Sequence, residues 1–226
     1  MSYLYALTDS HGCQEVFARA LDELDLTGSN HLYLLGDYIP HQTRDMEFAQ
    51  YLVQSARALS YVRRFAEEHV PHVTVLAGNH ERYLLLLEEV GQVQMSDELL
   101  AWLQALPLYA ETKDQIFVHA GVEEEAGRAW RYGDEDVFCQ KFPPTFGKFY
   151  KDVVAGHVGV SGASFANDPT FQRVFWDGES HYYLDASTEH TGTMAILRFD
   201  TERRAYSQKV VHADDATAWM PVTPFA

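Results

Sequence analysis

The sequence predicts an α/β domain in which two β-sheets pack face to face with helices on the outside, and three observations carry that expectation. The first ninety residues read strand then helix three times over, the pattern of a parallel sheet with covering helices. The later part reads as short strands separated by tight turns. No repeat, low-complexity tract or linker interrupts the 226 residues, which points to one domain over 1–226.

The elements follow from apolar spacing. Residues 3–7 are apolar and turn polar at Thr8-Asp9-Ser10, as a buried strand does at its end. Val16, Phe17, Ala20, Leu21 and Leu24 recur at helical spacing. A second strand is expected over 31–35 and a long helix over 46–69, with Phe48, Leu52, Ala56 and Leu59 on one stripe and Pro71 as its stop. A third strand over 73–77 runs into the helical "HERYLLLLEEV". Beyond it, "QIFVHAG", "KDVVAGH", "RVFWDG", "SHYYLDAS", "TMAILRFD" and "AYSQKVVH" read as strands, with only two helical stretches, near 97–105 and 134–142.

Charge and composition narrow the function. Lys and Arg number 17 against 33 Asp and Glu, a net −16. Binders of the phosphate backbone need basic surface, so nucleic acid is not an expected partner. No apolar run approaches the roughly 18 residues of a membrane span. "MSYLYALTDSHG" has no basic segment ahead of an apolar one, so it does not read as an export signal. Two cysteines, Cys13 and Cys139, suit a reducing compartment and lack metal-site spacing. The expected setting is the cytoplasm.

The chemistry collects where the strands stop. "TDSHG" supplies Asp9 and His11, "GDY" supplies Asp37, and "GNHE" supplies Asn79 and His80; "FVHAG" and "VAGH" add His119 and His157. Ligands of open α/β sheets bind outside the carboxyl ends of strands, so these side chains are expected to converge there. Mixed imidazole and carboxylate donors without thiolate suit Mn, Fe, Zn or Ni better than Mg or Ca. The donors are too many for one ion and suit two, the arrangement that clamps an in-line displacement at phosphorus.

With these motifs in order, the sequence resembles the calcineurin-like metallophosphoesterases, and among them the phosphoprotein-phosphatase branch with its bacterial serine/threonine phosphatases and symmetrical diadenosine-tetraphosphate hydrolases. The resemblance covers about residues 3–200, the "HYYLDASTEHTGTMAILRFD" hairpin included. It implies the four-layer metallophosphoesterase fold and two divalent cations, with manganese the first expectation and Fe, Zn or Ni the alternatives. Asp9 and His11 would ligate the first ion and Asp37 would bridge both. Asn79, His119 and His157 would hold the second, and His80 would protonate the leaving oxygen. The implied activity is hydrolysis of phosphomonoesters on a protein or a small molecule. A nucleotide pyrophosphohydrolase of the diadenosine-tetraphosphate type, or a metal-binding scaffold whose catalysis has decayed, stand as alternatives.

One motif departs from the branch. Its second motif usually reads Gly-Asp-x-Val-Asp-Arg-Gly, whereas "GDYIPHQ" puts Pro40 where the Asp orients the acid histidine and His41 where the Arg grips phosphate. Lys141, in "DVFCQKF", takes the place of a second phosphate-binding Arg, keeping the charge without the bidentate fork. The candidates for substrate contact are therefore His41, Arg44, Lys141 and His190, with Arg82, Arg128 or Arg131 as spatial substitutes. The histidines at 31, 69, 72, 181 and 212 read as structural or solvent-exposed.

Overall fold

The computed structural model describes residues 2–225 and has the layered α/β architecture that the spacing predicts. Tyr3–Leu7 (β1), His31–Leu34 (β2) and Val73–Val75 (β3) run parallel, connected by the helices Gln14–Asp22 (α1) and Phe48–Glu68 (α2). Asn79–Glu89 (α3) follows β3, and Asp97–Gln104 (α4) is capped by Ser96, whose Oγ accepts from the Leu99 N–H at 3.3 Å. Then come Tyr109–Glu111 (β4), Gln115–Val118 (β5), a 3₁₀ segment Glu124–Tyr132 and Glu135–Gln140 (α5). Asp152–Ala155 (β6), Phe175–Trp176 (β7), His181–Tyr183 (β8) and the short Thr188–Thr191 (α6) precede Met194–Asp200 (β9), Ala205–Val211 (β10) and Met220–Pro221 (β11).

One sheet has the order β11-β10-β9-β1-β2-β3 and the other β4-β5-β6-β8-β7. In the second sheet β5, β6 and β8 are parallel. Side chains alternate across each strand, so β1 sends Tyr5 and Leu7 towards the helices and Ala6 towards the other sheet. β5 does the same with Ile116 and Val118 outward and Phe117 inward. The two sheets meet through Phe117, Val154, Tyr182, Leu35, Leu76 and Leu197, and Tyr33 stacks on Phe117 at 3.9 Å and 8°. α1 buries Val16, Phe17, Ala20 and Leu21 on the first sheet; Trp130 and Phe138 of the 3₁₀ segment and α5 cover the second. The layers are therefore helix, sheet, sheet, helix.

Three details differ from the sequence reading. The 184–193 stretch does not make a hairpin: β8 pairs with β6 and β7, while β9 pairs with β1 and β10, so the chain crosses from one sheet to the other between them. Two adjacent strands look alike in sequence whether they pair or pack. The later half also holds the 3₁₀ segment and α6 besides the two expected helices, and the short strands β4 and β11. Among the described residues no helix is long and apolar enough to cross a membrane.

Candidate functional site

Six parallel strand ends, three from each sheet, meet at one mouth. β1 delivers Asp9 and His11, β2 Asp37, β3 Asn79 and His80, β5 His119, β6 His157 and β8 Asp185. The turns beyond the strands are tied together: the Asp9 N–H donates to Gly36 O at 3.1 Å, the His11 N–H to Asp37 O at 3.0 Å and the Gly156 N–H to His119 O at 2.7 Å. Asp9, His11, Asp37, His157 and Ser187 all have φ between 42° and 68°, a region side chains other than glycine seldom occupy. Strain of this kind persists where the surroundings hold it, and it clusters at functional sites.

Two glycines make room for the carboxylates. A Cβ at Gly78 would stand 2.1 Å from Asp37 Oδ1, and one at Gly156 2.1 Å from Asp9 Oδ2. Gly156→Ala should therefore push Asp9 out of place and cost about 1–3 kcal/mol of overpacking. Urea unfolding checks this, and an unchanged midpoint would mean that the strand ends can part without cost.

The donor atoms fall into groups. Asp9, His11 and Asp37 each offer an atom within 4.8 Å of the others, and so do Asp37, His119 and His157. Asp37 is common to these two, and a third such group, His11, His41 and His80, stands beside them without a carboxylate. His119 Nδ1 lies 3.0 Å from Leu35 O and His11 Nδ1 3.2 Å from Ile39 O. A carbonyl only accepts, so in each ring Nδ1 carries the proton and Nε2 turns its lone pair inward. His119 Nε2 there faces Asn79 Oδ1 at 2.9 Å and Asp37 Oδ2 at 3.4 Å, while His157 Nδ1 faces the same Asn79 oxygen at 3.0 Å. Lone pairs pointed at oxygen acceptors need a cation or a proton between them.

Asp9 supplies the complementary observation. Its Oδ2 accepts from Thr8 Oγ1 at 2.5 Å and from the His157 N–H at 3.0 Å, but its buried Oδ1 has no hydrogen-bond partner. A buried carboxylate oxygen without a partner is costly, and His11 Nε2 stands 3.6 Å away. These residues fit a pair of divalent cations. The electrostatics agree. Burial opposes the imidazolium of His11, but the Asp9 and Asp37 carboxylates outweigh it and push its pKa up to about 10. Burial likewise opposes charge on His119, and Asp37 with Asp9 pushes it up to about 9. Burial also opposes ionisation of Asp37, yet the positive charge of His119 and His80 holds its carboxyl well below the usual range.

Three acids that the sequence reading left without a role shape the site. Glu81 is fully buried and accepts the N–H groups of Asp37 (2.8 Å), Tyr38 (2.9 Å) and Gly78 (3.0 Å), locking the second and third motif turns together. Burial and the Asp37 charge push its carboxyl up to about 7, against those three donors. Asp185 is buried at the cavity wall; burial and Asp9 push its carboxyl up to about 8. Its signal was available, since it follows β8 as the other ligand candidates follow their strands. Glu189, on α6, accepts from His41 Nδ1 and had no such signal.

The substrate candidates divide. His41 and His190 line a cavity of about 200 Å³ together with His11, Asp37, His80 and Glu189. Pro40 is buried and packs on Gly12, where a Cβ would lie 3.2 Å from its Cδ. The His41 ring sits 4.1 Å from that of His11 and 4.4 Å from that of His80, edge to face. Arg44 is on an exposed loop outside the lining, and Lys141 also lies outside it, its ammonium donating to Val122 O. Arg131 pairs with Glu111, Arg128 lies over Tyr150, and Arg82 pairs with Glu135. A second cavity of about 510 Å³ shares Asn79 and His80 and continues over Arg82, Tyr83, Leu86 and Glu89. His80 thus stands at the junction. Its backbone N–H donates to Asp37 Oδ1 at 3.0 Å, but no carboxylate hydrogen-bonds its ring among the described residues; Asp37 Oδ2 is 3.8 Å away. Burial lowers its pKa against the opposing Asp37 charge, and the neighbouring His11 and His41 lower it further. Of the histidines read as structural, His181 is buried between Asp177 and Glu124, and His31 bonds Thr74.

Two mixed sheets between helices, with acids and imidazoles gathered at the ends of their parallel strands, define a metallophosphoesterase. The sequence profile described as calcineurin-like phosphoesterase matches residues 3–189, and the chain belongs to that family. Among curated relatives it is 28% identical over 151 residues to a symmetrical bis(5'-nucleosyl)-tetraphosphatase of Chromobacterium violaceum, which is 60% of this chain and 50% of that protein. The same-named protein of Delftia acidovorans is 31% identical over 127 residues, 53% of this chain and 44% of the relative. The chain spans about half the length of these relatives. Solved structures share the fold: a mutant cold-active protein tyrosine phosphatase (TM-score 0.56, 14% identity, 95% of this chain and 79% of that one) and a metallophosphoesterase from Sphaerobacter thermophilus (TM-score 0.52, 14% identity, 96% and 89%). A serine/threonine phosphatase from Saccharomyces cerevisiae superposes with a TM-score of 0.56 at 11% identity, over 93% and 80%.

Proposed function

We propose that the protein is a dimetal phosphoesterase. One cation would be held by Asp9, His11 and Asp37, the other by Asp37, Asn79, His119 and His157, with manganese the leading choice. The observation that carries this reading is Asp37, a buried carboxylate common to two separate donor groups. Bound divalent cations supply hydroxide near neutral pH and neutralise phosphoryl oxygens. The chain's own part is different. The strand ends fix the donors, and His80, between the two cavities, donates its proton to the oxygen that leaves as the P–O bond breaks. It recovers that proton from solvent. The names of the curated relatives favour a second reading, cleavage of a dinucleoside tetraphosphate. We place the enzyme in the cytoplasm, in keeping with its two unpaired cysteines.

Elemental analysis after loading with Mn should give two ions per chain, with metal-dependent hydrolysis of an aryl phosphate ester. Asp9→Asn and His119→Ala should each lower the count by about one, since each withdraws a donor from a different group. Full occupancy in both would place the metals elsewhere. Two ions without hydrolysis of any phosphate ester would instead mark a decayed scaffold.

A further inference from the structure

The charge around the cavity limits what phosphate it accepts. In the place of a phosphate-gripping arginine stands His41, and its Nδ1 is bonded to the Glu189 carboxylate. An imidazole and a carboxylate together bring no net positive charge, whether the shared proton sits on one or the other. Among the described residues no Lys or Arg lines this cavity. On the far side of His80 the second cavity is lined, among the described residues, by Arg82 as its one Lys or Arg, already paired with Glu135, and by the further carboxylates Glu89 and Asp136. Beyond the cations, therefore, each flank of the reacting phosphorus is neutral or acidic.

From this we infer that the substrate is a phosphodiester, a monoanion whose charge is confined to the reacting phosphoryl group; the inference rests on the proposed dimetal reading. A phosphomonoester carries a third, partly anionic oxygen, which would face the His41–Glu189 pair without a countercharge. A tetraphosphate would also lay charged phosphates along Glu89, Glu135 and Asp136. In a diester the third position is an ester oxygen bearing carbon. It demands no cation, and it accepts a hydrogen bond from His41 when Glu189 holds that ring in place. The reaction balances as hydrolysis: water adds its oxygen to phosphorus, one P–O ester bond breaks, its electron pair leaves on the alcohol oxygen, and that oxygen takes the His80 proton. The product is a monoester, whose extra charge the corner does not hold.

The test compares kcat/KM on bis(p-nitrophenyl) phosphate, p-nitrophenyl phosphate and diadenosine tetraphosphate for Mn-loaded protein with two ions confirmed. The diester should lead each of the others by at least about tenfold. His41→Arg combined with Glu189→Gln should shift the ratio towards the monoester by about ten- to a hundredfold, mainly through KM. In calorimetric titration the same change should tighten binding of inorganic phosphate about tenfold. A wild-type preference for the monoester or the tetraphosphate, or a ratio and a phosphate affinity that the double change does not move, overturns the inference while leaving the phosphoesterase reading intact. No hydrolysis of any of the three overturns both.

Discussion

Asp37→Asn is expected to leave the protein folded but nearly free of metal and without measurable hydrolysis. The replacement is isosteric. Its Oδ1 still accepts from the His80 N–H, as Asp37 Oδ1 does at 3.0 Å, so the turn keeps its hydrogen bond. What goes is the negative charge common to both donor groups. A neutral amide is a poor ligand between two dications, and even indirect partners of metal ligands are commonly worth 10–100-fold in affinity. Loss of affinity at both positions should therefore exceed about a hundredfold. Elemental analysis beside far-UV circular dichroism separates the two effects. A folded variant that kept two ions would refute the assignment of Asp37 as the bridge.

His80→Asn should do the reverse, keeping the metal and losing turnover. A positioned acid contributes about 10²–10⁴-fold, and His80 stands where the two cavities join. The loss should be greatest for alkyl leaving groups and much smaller for p-nitrophenolate, which departs with little need of a proton. Equal losses on both would mean that the ring positions the substrate instead. The absence of a carboxylate partner on this ring fits Pro40, which has no acceptor to offer and packs instead on Gly12.

Much of this was legible in the sequence because strand ends are marked twice, by the stop of the apolar run and by the polar residue after it. Asp9, Asp37 and His119 were readable for that reason, and the structure brings them to one mouth. Asp185 follows the same rule, but "LDAS" matches none of the motifs that mark the other strand ends. Glu81 is different. Its role is to accept three backbone N–H groups from two turns, and nothing in the chain's spacing announces such a contact. Glu189 depends on where α6 lands after the chain crosses between sheets, a matter of tertiary packing. The same ignorance of pairing made β8 and β9 read as a hairpin. Lys141 was placed by its motif position, but its ammonium was free to choose a nearer acceptor and took Val122 O. Short edge elements such as β4 and β11 have too few residues for any period to show.

The mouth of the sandwich has a mechanical meaning as well. Asp9, Asp37 and Asn79 belong to one sheet and His119 and His157 to the other; between the sheets lie apolar contacts such as Tyr33 on Phe117, and at the end away from the mouth the Tyr206 hydroxyl accepts from Gln115 and donates to Asp152. Apolar contact resists separation but tolerates sliding. Ions bound by donors from both sides would act as rivets through the two layers, fixing their offset at the end where alignment matters. A ligand that binds only the folded chain stabilises it in proportion to the logarithm of its concentration, about 2.7 kcal/mol at a hundred times its dissociation constant. The thermal midpoint should therefore climb with free Mn and fall on chelation, so the supply of metal would set how long the enzyme survives as well as how fast it works.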